Sequence, residues 1–276
     1  MTKVKIVVDS SADLIELEGI DFASAPLTIN TSEVRYIDDA ALDVAEMVDF
    51  LYKYKGKSST SCPNTEDWIS AFGGAERIFC ITITSNLSGS YNSARVAKEE
   101  YERRHPERRV ELIDSLSTGP EIVLMAEKIR ELAALDRSFE EIAEYMRGYR
   151  TELLFVLESM NNLANNGRIS RVKATLASFL GIRAIGRASD EGTLEMLAKC
   201  RGEQKTVEAL VGYMRELGYA GGKISIASCE NPKLHESFSA AMREAYPDAE
   251  ISHRPCRGLC SFYAERGGML IGFERE

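Results

Sequence analysis

Histidine is scarce in this chain. There are 3 in 276 residues, beside a single tryptophan and 7 prolines. His105 lies in the charged run ERRHPERR, His235 in a polar helix start and His253 at the end of a strand-like run. None falls inside the serine-rich loops described below, so imidazole-based acid–base catalysis has few seats. Long apolar runs are missing too. The longest, such as Ile122 to Ala126, hold about five residues, whereas a bilayer-crossing helix needs ~20. No G-x-x-x-x-G-K-[ST] loop occurs, no G-x-G-x-x-G follows the first strand, and no G-x-S-x-G elbow is present. These absences argue against a phosphate-binding P-loop, a dinucleotide fold and a serine hydrolase of the elbow type. Positive charge is in deficit: 34 Lys and Arg against 43 Asp and Glu, a net charge of −9. An acidic surface repels phosphate backbones, so a nucleic-acid partner is not expected.

The cysteines are Cys62, Cys80, Cys200, Cys229, Cys256 and Cys260. Cys256 and Cys260 stand four apart but lack a second pair, so no metal site is expected. The others read as reduced thiols, with Cys80 and Cys229 in apolar, strand-like surroundings. The opening MTKVKIVVDSS reads as a strand running into a loop rather than a secretion signal. The expected compartment is the cytoplasm, with no membrane span.

Apolar residues make up 44% and charged residues 28%, ordinary usage for a chain with a sizeable core. Strands are expected at Lys3–Val8, Arg77–Thr84 and Arg109–Ile113, and helices within Asp39–Tyr54, Ser93–Arg103 and Ile122–Leu135. This alternation predicts an α/β fold whose N-terminal domain, residues 1–150, is a mainly parallel sheet with helices on both faces. Residues 151–276 read as a second, α+β domain. Its expected strands are Leu153–Glu158, Ile182–Ile185, Leu194–Ala198, Lys223–Ala227 and Ala249–His253, and its helices Met160–Asn165, Ile169–Leu180, Thr206–Leu217 and Lys233–Tyr246. Asp190-Glu191-Gly192 suggests a hairpin. The last strand, Gly268–Phe273, fits either domain.

The hydroxyl-rich segments Asp9–Ser11, Ser85–Ser90 and Asp114–Ser117 each follow a strand. In a parallel sheet the ligand crevice lies beyond the carboxyl ends of the strands, so these loops should converge. The run Ser58–Asn64 sets five hydroxyl or thiol side chains before and beside Pro63, which favours a helix start. Hydroxyls with free backbone N–H groups at a helix start suit an anion, and they equally suit a plain helix cap. Gly89 permits the backbone to approach a ligand closely. Asp9 and Asp13 fit bases, metal ligands or caps. Arg168 and Arg171 at a helix start oppose its dipole and hint at an acidic partner, or are ordinary surface charges.

Six motifs give these observations a family likeness. IVVDSSADL (Ile6–Leu14), TSCP (Thr60–Pro63), TITSNLSGSYNSA (Thr82–Ala94), LIDS (Leu112–Ser115), NNGRISRVKATLASFLGIRAI (Asn165–Ile185) and KCRG (Lys199–Gly202) together resemble the DegV family, in its order and over nearly the whole chain. The resemblance implies a long-chain fatty acid held between two domains, with no cofactor and no catalytic residue in this chain. In some members the acid is presented to a separate, ATP-using fatty acid kinase subunit, which converts the carboxylate to an acyl phosphate. It implies carboxylate contacts at Thr60 and Ser88, with Ser61 beside them, and a kinase-facing role for Arg168 and Arg201. Val172, Leu176, Phe179 and Ile182 would wall the tail, or are ordinary core. Two departures stand out. Cys62 replaces a glutamine of the family's TSQP. The family's THxGPG stretch is missing, and counting back from the final strand puts Tyr263 at its histidine, with Glu265-Arg266-Gly267 in place of GPG. A tyrosine can donate a neutral hydrogen bond there but cannot carry histidine's positive charge. A serine-nucleophile hydrolase or acyltransferase acting through Ser88 or Ser61 is the competing expectation.

Overall fold

The computed structural model describes residues 4–169 and 181–275. Apolar residues drive β1 (Val4–Asp9) into the centre of the first sheet, beside β2 (Asp21–Ala25). A small excursion follows: β3 (Thr28–Asn30), β4 (Arg35–Ile37), α1 (Val44–Lys53) and β5 (Ser59–Ser61), with β4 and β5 antiparallel on either side of β3. The chain then runs through α2 (Thr65–Phe72), β6 (Arg77–Thr82), α3 (Ser90–Arg104), β7 (Arg109–Asp114), α4 (Pro120–Ala134) and α5 (Phe139–Gly148). The first sheet has the order β2-β1-β6-β7, all parallel. Because side chains alternate along a strand, β1 serves two cores. Ile6 and Val8 pack with Ile122 and Ile142 beneath α4 and α5, and Val7 packs with Trp68, Phe72 and Ala94 beneath α2 and α3. The expected helices on both faces are present.

The second sheet draws on β8 (Thr151–Leu157), then, after α6 (Asn161–Asn165), on β9 (Ile182–Ala188) and β10 (Leu194–Arg201). After α7 (Glu203–Glu216) come β11 (Lys223–Ser228), α8 (Pro232–Ala245), β12 (Glu250–Pro255), α9 (Gly258–Ala264) and β13 (Met269–Glu274). The strand order is β10-β9-β8-β13-β11-β12, antiparallel except for the β11–β12 pair. The final strand therefore belongs to this sheet, between β8 and β11. α7 and α8 cover one face, where Leu154 and Val156 of β8 pack with Leu210 and Phe238. The other face carries Leu153, Phe155 and Leu157 of the same strand and turns towards α6, α9 and α1.

Two devices join the sheets. α4 packs on β1 and β6 and also on β8, β11 and β13. Gly272 of β13 makes that approach possible, since a Cβ there would stand 2.7 Å from the Pro120 carbonyl carbon. The β9–β10 hairpin also reaches back: the Thr84 hydroxyl donates to the Gly192 carbonyl at 3.0 Å, and the Asn86 amide donates to the Glu191 carbonyl at 2.5 Å.

Candidate functional site

The serine-rich loops do meet. Asp9 is fully buried at the end of β1 and receives the Ser90 hydroxyl at 2.6 Å and the Ile83 amide at 3.0 Å. It also caps the short 3-10 turn Ser10–Ala12 by accepting from the Ser11 amide. Asp114 accepts the Ser85 amide at 3.1 Å, and the Thr84 amide donates to the Ser117 carbonyl at 2.8 Å. Asp9 is thus a buckle between strand ends, and burial raises its pKa. Asp13 accepts the Arg257 amide at 2.7 Å. Among the described residues no group of three or more His, Cys, Asp or Glu is placed to hold a metal ion.

Beyond these loops lies a narrow slot. It has about 690 Å³ of free space with its mouth included, but only about 70 Å³ is wide enough for the centre of a water molecule. Its walls are apolar: Leu153, Phe155 and Leu157 from β8, Leu270 from β13, Leu194 from β10 and Leu163 from α6. Leu27, Ile83, Leu87 and Leu259 close it on the side of the first sheet. Polar side chains are few and sit together: Thr60, Ser88, Arg168 and Tyr263, with Thr118 nearby on the loop before α4. Few polar groups in an apolar cleft is the usual make-up of a small-molecule site.

Thr60 is the middle residue of β5, so alternation turns it inward while Ser59 and Ser61 stay exposed. Its hydroxyl lies 2.7 Å from that of Tyr263, 203 residues away and on α9. Burial raises the Tyr263 pKa against weaker lowering by Thr60 and Arg168, so the hydroxyl keeps its proton and can donate. Ser88 follows the turn closed by its own amide on the Thr84 carbonyl, and its hydroxyl accepts the Ser90 amide at 3.2 Å. Ser61 stands apart from the slot, where its hydroxyl accepts the Asn30 side-chain amide at 3.3 Å. Arg168 lines the slot rather than standing free: its Nε donates to the Leu87 carbonyl at 3.1 Å and another guanidinium N–H to the Asn166 carbonyl at 2.5 Å. Arg201 ends β10, exposed and outside the slot.

Cys62 borders Gly89, where a Cβ would stand 3.3 Å from the thiol. Val172, Leu176 and Phe179 lie outside the described residues, and Ile182 is not a lining residue. No histidine lines the slot. His253 takes Ser228 as its hydrogen-bond partner at 2.8 Å and stacks on His235 at 3.7 Å, while His105 is half-buried at the end of α3. A serine nucleophile at Ser88 or Ser61 thus has no imidazole beside it.

Sequence reasoning missed the slot's second wall. LLFVLE reads as a buried strand, but nothing in it says which alternate set faces a ligand. Leu27, Ile83, Thr118 and Leu259 come from four separate segments and carry no shared motif.

The model of the DegV family, described as a family of uncharacterised proteins, matches residues 3–276. The chain belongs to the DegV family. A DegV domain-containing protein of Streptococcus pneumoniae is 44% identical over 276 residues, covering 98% of each chain. A crystal structure of a DegV family protein from Eubacterium eligens, loaded with heptadecanoic acid, is 41% identical with a TM-score of 0.97, covering 99% of this chain and 100% of that one. The fatty acid kinase B3 protein of S. pneumoniae, loaded with linoleic acid, is 43% identical with a TM-score of 0.97 at the same coverage. Together these chains extend the likeness from single motifs to the whole two-sheet architecture. Among the described residues of the present DegV chain, no helix is long and apolar enough to cross a membrane.

Proposed function

We propose that this DegV chain binds a long-chain fatty acid, with the carboxylate at Thr60, Ser88 and Tyr263 and the tail in the leucine-lined slot. The observation that carries the reading is the hydroxyl pair of Thr60 and Tyr263, 2.7 Å apart, lining with Ser88 a cleft whose walls are mainly apolar. A carboxylate accepts and cannot donate, so it needs such donors. Either hydroxyl of the pair can turn from its partner to the ligand. The likeness to two proteins carrying bound fatty acids supports the same ligand class. The division of the chain near residue 150 into two domains gives the ligand its cleft. Ser61, beside Thr60 in sequence, stands apart from this site with its hydroxyl on the Asn30 side chain. The buried free thiols Cys80, Cys229, Cys256 and Cys260 fit a reducing compartment such as the cytoplasm.

The protein carries out no chemistry by itself in this reading. It presents the bound acid to a separate kinase subunit, with Arg201 on the facing surface and Arg168 at the edge of the site. Native mass spectrometry of the purified chain, followed by lipid extraction, is expected to give a mass increment of one long-chain acid. Clean apoprotein that takes up no added heptadecanoic acid would overturn the ligand. For the partner, Arg201→Glu is expected to abolish phosphorylation of the bound acid by a cognate kinase subunit while leaving acid binding intact. Undiminished phosphorylation would remove Arg201 from the interface.

A further inference from the structure

The short helix that carries Tyr263 is held at its other end by buried carboxylates. Asp38 is 1% exposed and lies just after β4. One of its oxygens accepts the Gly258 amide at 2.9 Å and the other the Leu259 amide at 2.8 Å. Asp13 takes the preceding amide, that of Arg257, at 2.7 Å. Three successive backbone N–H groups at the start of α9 are thus satisfied from within the protein, where a helix normally leaves them free. Gly258 fits this arrangement and no larger residue does. A Cβ at Gly258 would fall 2.6 Å from the Asp38 carboxyl carbon and 2.8 Å from a methyl of Leu42.

The same aspartate is tied to the strand opposite. The Asp38 amide donates to the Leu27 carbonyl at 2.9 Å, and the Leu27 amide donates to the Ser10 hydroxyl at 2.9 Å. Leu27 leads directly into β3, whose Ile29 pairs with Thr60 of β5. Both halves of the Thr60–Tyr263 contact therefore lead back to one residue, Asp38, through its carboxylate on the helix side and its backbone amide on the strand side. On one side the path runs through little more than one turn of helix. On the other it crosses a three-residue strand. Leu27 and Leu259, which touch this anchor, are themselves slot walls.

We infer that Asp38, with Gly258 and Asp13, is a positioning element for the head-group site: it fixes the start of α9 against β3 so that the Tyr263 and Thr60 hydroxyls meet at hydrogen-bond distance. It touches no ligand and acts only through the helix and the strand. The inference deepens the fatty-acid reading above and rests on it for its meaning, although the geometry can be tested without a ligand.

The test uses the full chain with Gly258→Ala, and separately Asp38→Asn, which turns one acceptor into a donor facing a backbone N–H. The first readout is a crystal structure of Gly258→Ala beside wild type. The Thr60–Tyr263 hydroxyl separation is expected to open past about 3.5 Å, the limit of a hydrogen bond. A contact kept near its wild-type length overturns the inference, whatever the wild type binds. The second readout is the preference for a long-chain acid over its methyl ester, at matched fold as judged by circular dichroism. Loss of an aligned donor to a charged acceptor is expected to lower that preference by about tenfold. A variant that weakens acid and ester equally has merely been destabilised, and that outcome also counts against positioning. Should Asp38→Asn fail to fold, Gly258→Ala, which keeps every charge, still decides the question. Failure of wild type to bind any acid removes the fatty-acid reading but leaves the structural readout standing.

Discussion

Replacing stearic acid by decanoic acid, a loss of eight methylenes, is expected to weaken binding by about four orders of magnitude. Each buried methylene contributes about 0.8 kcal/mol, so eight amount to roughly 6 kcal/mol before the smaller ordering cost of the shorter chain is credited. The head group is worth less. A hydrogen bond to a charged acceptor contributes about 1.5–3 kcal/mol, so esterifying the acid should cost only about ten- to a hundredfold. The asymmetry follows from the slot, which is leucine, isoleucine and phenylalanine along its walls and polar only around Thr60, Ser88, Arg168 and Tyr263. Its narrowness matters as well. Only about 70 Å³ of it is open to the centre of a water molecule, which leaves little room for water beside an acyl chain. Competition titration of a fluorescent acid by the saturated series reads the slope directly. Decanoate binding within tenfold of stearate would place the tail somewhere other than this slot.

How far the sequence foretold this site depends on where each residue's partners lie. β1, β6 and β8 are mainly runs of buried apolar residues, and such runs announce themselves without knowledge of their neighbours. The convergence of the serine-rich loops follows from parallel-sheet topology, and Asp9 with Ser90, or Ser85 with Asp114, bears it out. β3, β4 and β5 are not legible in the sequence, because three-residue strands leave no periodic signature. α5 carries a local signal of its own: Ser138 and Glu141 form a capping box around the helix start, with Phe139, Ile142 and Met146 as its apolar positions. α9 could not be read in advance. All of its residues but Tyr263 are buried, so no amphipathic stripe marks it, and its cap comes from Asp38, 220 residues away. Tyr263 was placed by its distance from the last strand, and only the fold shows that it meets Thr60. Arg168 had suggested a surface contact, and the Leu87 carbonyl instead draws it into the slot's edge.

The buried carboxylates make a second expectation, one that runs against common behaviour: the protein should be more stable at pH 5.5 than at pH 7.5. Asp13 is 6% exposed, and burial, reinforced by the nearby Asp38 charge and only partly offset by the Arg257 amide, raises its pKa from 3.8 to about 7. Glu121, 4% exposed at the start of α4, is raised by burial from 4.5 to about 7 despite accepting the Thr151 hydroxyl at 2.6 Å. Both groups bind a proton more tightly folded than unfolded. Between the unfolded and folded pKa values the native state therefore holds the extra proton, and stability falls as pH rises through that interval. Over pH 5.5 to 7.5 each group contributes a loss of about 2 kcal/mol, so Tm should drop by on the order of 5–10 °C across the window. Asp9 and Asp38, raised chiefly by burial, push the same way. His253 opposes them, because burial lowers its pKa and so favours the fold as pH rises through its titration. Glu274, whose bonds to Tyr149, Lys223 and Lys128 outweigh its burial and hold it below 4.5, is ionised in both states throughout the window. Thermal unfolding followed by circular dichroism at both pH values tests the sign. Asp13→Asn and Glu121→Gln remove the two titrations, so the double variant should show a clearly shallower profile and a higher Tm than wild type at pH 7.5. A wild-type Tm that climbs towards pH 7.5, or a double variant as pH-sensitive as its parent, would mean that these carboxyls are already ionised in the fold, and that the Asp13 anchor of α9 carries its charge at neutral pH.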